Sequence, residues 1–65
     1  MMKEAATITF REVESSDEAV IIVRYDEKSV ALCLSLKSNG DLEAVMTKAD
    51  AGKLTEALKK AMNQS

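Results

Sequence analysis

Val30-Ala31-Leu32-Cys33-Leu34-Ser35-Leu36-Lys37, followed by Ser38-Asn39-Gly40-Asp41 and then Leu42-Glu43-Ala44-Val45-Met46-Thr47, decides the fold of this chain. The first run puts a large apolar side chain at every second position, the period of a strand with one buried face. The last run repeats that period after a polar cluster containing Asn-Gly, so the two runs form a hairpin. Its register matters, because a slip of one residue exchanges the faces. A two-residue Asn39-Gly40 loop would set Leu36 opposite Glu43 and Leu34 opposite Val45, which mixes polar with apolar side chains. A three-residue Ser38-Asn39-Gly40 loop, with the glycine left-handed, pairs Leu36 with Leu42, Leu34 with Ala44 and Leu32 with Met46. The second register is expected, since it makes one continuous apolar face and sets Lys37 opposite Asp41, a pair worth about 0.5 kcal/mol.

Upstream, Ala19-Val20-Ile21-Ile22-Val23-Arg24-Tyr25 is β-branched and apolar at both parities, which suits a central strand. The turn Asp26-Glu27-Lys28-Ser29 joins it to the leucine-rich strand, and the polar loop Glu14-Ser15-Ser16-Asp17-Glu18 precedes it. Thr7-Ile8-Thr9-Phe10-Arg11 alternates again, giving a first strand over 6–13. Downstream, Thr47-Lys48-Ala49-Asp50 resembles a capping box and opens a helix over 48–62. Ala51, Leu54, Ala57, Leu58, Ala61 and Met62 form one stripe on it, expected to cover the leucine face of the sheet. Glu56 stands four residues before Lys60, in ion-pairing position. The chain therefore reads as a single α+β domain over 1–65: a four-stranded antiparallel β-meander followed by one C-terminal helix packed on one sheet face (ββββα).

Size and composition limit what such a domain can do. At 65 residues the chain supports one small core and buries about 60% of the surface its unfolded form exposes, so its stability is marginal unless it associates. With 46% hydrophobic residues and a net charge of −2 it lacks the signature of disorder. Its 9 basic and 11 acidic side chains favour no polyanion. One cysteine excludes an internal disulfide, no apolar run is long enough to span a membrane, and Met1-Met2-Lys3-Glu4 opens no signal-peptide-like segment, so a cytoplasmic location is expected.

Enzymatic chemistry finds little to work with. Histidine, the commonest general base and nitrogen ligand, is absent. Cys33 lies mid-strand between Leu32 and Leu34 with no histidine partner anywhere in the chain, and is expected to be a structural thiol. The acidic pairs Asp17-Glu18 and Asp26-Glu27 match no calcium-loop spacing and read as turn residues. Gly40 belongs to its turn, and Gly52 falls opposite the helix stripe, outside any phosphate-binding motif. No catalytic residue, cofactor or metal is expected.

A four-strand meander followed by a helix resembles, in layout alone, the single-strand-binding transcriptional coactivator fold. That resemblance implies a single-strand nucleic-acid-binding module as the alternative function. Such binding uses a basic groove with aromatic platforms, whereas this chain has one Phe, one Tyr and no Trp. The other feature is the second sheet face, where Val20, Ile22, Ala31, Cys33 and Val45 fall together and one helix cannot reach them. These five residues are the expected association surface, with Ile22→Lys as the substitution expected to break it. The function expected is that of a non-enzymatic binding or assembly module, homodimeric and open to a further protein partner, with neither nucleic acid nor membrane expected.

Overall fold

The computed structural model describes residues 1–64. It contains β1 (Lys3–Arg11), β2 (Glu18–Tyr25), β3 (Ser29–Leu36), β4 (Gly40–Thr47) and α1 (Lys48–Met62). Every strand pairs antiparallel with its chain neighbour, so the sheet is a simple meander in the order β1-β2-β3-β4. This is the α+β ββββα architecture that the alternation and the capping signal indicate.

β1 is displaced from its expected span. It starts at Lys3, opposite Tyr25, takes a bulge between Glu4 and Ala6, and stops at Arg11. The early stop has a local cause. The Glu12 amide donates to the Asp17 carbonyl at 2.8 Å and the Ser16 amide to the Glu12 carbonyl at 2.9 Å, closing the loop. Ser16 is left-handed there, with φ 63°, and the Arg11 guanidinium donates to its carbonyl at 2.6 Å.

The β3–β4 hairpin corrects the expected register. Leu36 pairs with Gly40, Leu34 with Leu42 and Leu32 with Ala44. The loop is Lys37-Ser38-Asn39, one residue earlier than expected, and moving a three-residue loop by one position shifts every pair by two. A shift of two keeps the faces, so the apolar side survives while its partners change. Gly40 is left-handed at φ 83°, as its place beside Asn39 suggests. The expected Lys37–Asp41 pair does not form: the Lys37 amide donates to the Glu18 carbonyl at 3.2 Å, and Asp41 accepts from the Ser35 hydroxyl at 2.6 Å.

The helix begins where the sequence places it. Thr47 is the N-cap, its Oγ1 accepting from the Asp50 amide at 3.1 Å. The return half of a capping box is not made; the Asp50 carboxylate instead lies 3.8 Å from Lys53 Nζ, consistent with aspartate being one methylene shorter than the usual glutamate. Glu56 likewise pairs with Lys59, at 3.9 Å, rather than with Lys60. Thr47→Ala should therefore lower stability by about 1 kcal/mol, read as a lower urea midpoint. Gly52→Ala should raise it by about 0.5–1 kcal/mol, because a Cβ there meets nothing within 4 Å.

The helix packs against the sheet, as expected, but over less of it than its stripe suggests. The stripe on α1 does not cover the leucine face: α1 meets the sheet only along β4 and β3 and reaches neither β1 nor β2. None of its residues is buried, and Leu54, Leu58 and Met62 are 38%, 55% and 75% exposed. The cause lies at the junction. β4 ends at Thr47 and α1 begins at Lys48, so no connecting residues exist in which the chain could reverse over the sheet. The molecule is accordingly flat, 35 × 33 × 15 Å.

Candidate functional site

The strand registers sort the side chains into two unlike faces. One holds Thr7, Thr9, Val20, Ile22, Arg24, Ala31, Cys33, Ser35, Glu43 and Val45. The five residues expected to form an association surface are thus brought together, with Ile22 opposite Cys33 and Ala31 opposite Val45. They do not form an unbroken apolar patch. Arg24 in β2 reaches Glu43 in β4 at 3.4 Å, so this ion pair crosses β3 between Ala31 and Cys33. Ala31, between Arg24 and Val45, is buried, and the threonines and the Ser35–Asp41 hydrogen bond surround the rest. The pair is half-exposed and adds at most about 1 kcal/mol, but its charges keep this face compatible with water.

The opposite face is apolar from edge to edge. Ile8 faces Ile21, Ile21 faces Leu34 and Leu34 faces Leu42; beside this row lie Val23, Leu32 and Ala44. Phe10, Ala19 and Leu36 extend it on one side, and Tyr25, Val30 and Met46 on the other. Only Ala19 among these is buried; Ile8 stays 50% exposed and Leu42 70%. The two alanines, Ala19 and Ala31, are the whole buried set among the described residues. A domain with a completed core buries its large aliphatics first, so this leucine face is the outstanding surface of the molecule. Alternation marks its residues as core, and their exposure follows from a helix that covers only part of the sheet. The abutment of Thr47 as strand end and helix cap is the signal of that partial cover.

The loops account for the acidic residues. Asp26 accepts from the amides of Lys28 at 2.9 Å and Ser29 at 2.7 Å, and these bonds, that from Lys28 foremost, hold its carboxyl below the usual aspartate range. Glu12 is lowered in the same way, first by the Glu14 amide and then by Ser15. Asp17 accepts from the Ser38 hydroxyl, tying the first loop to the last hairpin. A carboxylate whose folded pKa is depressed adds stability above its unfolded pKa and loses it as pH falls through the folded value. Stability should therefore decline on acidification below the ordinary carboxylate range. The double variant Glu12→Gln/Asp26→Asn should show a flatter acid limb in thermal melts between pH 5 and pH 2, about the range in which depressed carboxylates titrate.

Cys33 is a free thiol, half-buried, opposite Ile22 and Glu43. A shallow hollow at the end of the sheet is bounded by Met1, Lys3, Tyr25, Asp26, Lys28 and Lys48. Its one turn-forming aspartate is already committed to backbone amides. Among the described residues no helix is long and apolar enough to cross a membrane. Comparison with protein-family models, with curated proteins and with solved structures finds no match.

Proposed function

We propose that this chain is a non-enzymatic binding and assembly module that works as a cytoplasmic homodimer, with the leucine face as its association surface. The observation that carries this is the incompletely covered row in which Ile8 and Leu42 are exposed and Ile21 and Leu34 only half-buried, together with the exposed helix residues Leu54, Leu58 and Met62. Contiguous apolar surface of this kind marks sites of association, and a chain in which Ala19 and Ala31 are the buried side chains among the described residues gains from a partner the core it lacks. The mixed face carrying Val20, Ile22 and Val45 is then the outer, hydrated side of the sheet. The single-strand-binding alternative gains no support: Phe10 and Tyr25 lie on the leucine face with aliphatic side chains between them, whereas a nucleic-acid groove sets its aromatics among cations.

If folding and association are coupled in this way, the melting temperature rises with protein concentration. A midpoint that is unchanged from low to high micromolar chain would refute the homodimer.

A further inference from the structure

We infer that the two copies exchange helices, each α1 lying across the leucine face of the other chain; this deepens the homodimer proposed above and rests on it. The two apolar surfaces of one chain match each other, yet the helix reaches neither β1 nor β2 of its own sheet. α1 carries Leu54, Leu58 and Met62 on one stripe, all exposed, and with β4 passing directly from Thr47 into Lys48 the helix meets its own sheet only along β4 and β3. A connection too short to fold back is a common origin of exchange between identical chains.

The dimensions agree. A helix of 15 residues is about 22 Å long, and a strand of 8 residues is about 26 Å, so one helix spans one sheet. The exposed surface is also too large for a finished monomer: 5310 Å² against about 4,100 Å² for a compact chain of this mass. The excess is about 1,200 Å² per chain, or about 2,400 Å² for two, within the range of obligate dimers. The radius of gyration, 13.0 Å, likewise exceeds the roughly 10.7 Å of a compact domain of this length. Face-to-face stacking of two leucine faces would bury the sheets yet leave both helix stripes in water. Exchange covers all four surfaces at once and gives each sheet the helix layer that a two-layer α+β domain requires.

The test uses a full-length chain carrying Cys33→Ser and Leu58→Cys, labelled at the new thiol with a benzophenone cross-linker. It is refolded from urea with an excess of isotopically heavy chain and irradiated, and the linked peptides are identified by mass spectrometry. Exchange predicts light-to-heavy links from α1 to peptides containing Ile21, Leu34 or Leu42, with light-to-light links a minor fraction. Links from α1 to its own sheet, or helix-to-helix links that spare the leucine face, overturn exchange; in the latter case the dimer itself stands. A monomer in sedimentation removes both. The same label at Met62→Cys, in the last turn, serves if Leu58→Cys does not refold.

Discussion

Leu34→Lys should convert the dimer to monomer and lower stability by several kcal/mol. Leu34 stands at the centre of the leucine face, between Ile21 and Leu42. In an associated pair it is sealed under apolar side chains, and an ammonium placed there has no partner and no water. In an isolated chain the same lysine could run its stem over the half-covered face and keep its charge in solvent, and the cost would shrink to part of one leucine's burial, about 1 kcal/mol. Sedimentation and urea midpoints of the parent and the variant separate these cases. Ile22→Lys is the informative companion. It lies beside Thr7 and Cys33 on the face crossed by the Arg24–Glu43 pair, where water is at hand, and the dimer should survive it. Loss of the dimer in Ile22→Lys but not in Leu34→Lys would restore the surface that the sequence alone suggests.

Leu58→Glu should be nearly as damaging, although Leu58 is 55% exposed in the single chain. On a free helix the change is close to neutral, since Leu and Glu have similar helix propensity and exposed substitutions alter stability by about 0.5 kcal/mol or less. On a helix seated against another apolar face it buries a carboxylate without a partner and should cost several kcal/mol. Glu56→Lys, on the side of α1 away from the stripe, changes charge without touching that seat and serves as the control. Its effect should stay within the few tenths of a kcal/mol of a lost surface ion pair with Lys59. Equal small effects from both variants would mean that the stripe contacts nothing.

The elements of this fold are written locally, and they were legible for that reason. Alternation in Val30–Leu36, the β-branched run 19–25 and the Thr47 cap each act over a few residues, and each appears where its pattern predicts. The register of the last hairpin was legible to its face but not to its pairs. The Lys37 amide is taken up by Glu18, a residue remote in sequence, and no local pattern records that bond. The place of the helix was not legible from its own amphipathicity. A stripe such as Leu54-Leu58-Met62 states that an apolar partner exists without saying which chain supplies it. Likewise the five residues Val20, Ile22, Ala31, Cys33 and Val45 do share a face, but the Arg24–Glu43 pair that crosses β3 between Ala31 and Cys33 depends on three strands coming together.

Sedimentation equilibrium of the native chain tests the central claim most directly. Association through the leucine face predicts a single species of twice the 7.1 kDa chain mass at micromolar concentration and at high salt, because burial of apolar surface, unlike ion pairing between exposed charges, is not screened. A single species at the chain mass, persisting at high micromolar concentration with the fold intact by circular dichroism, would contradict it.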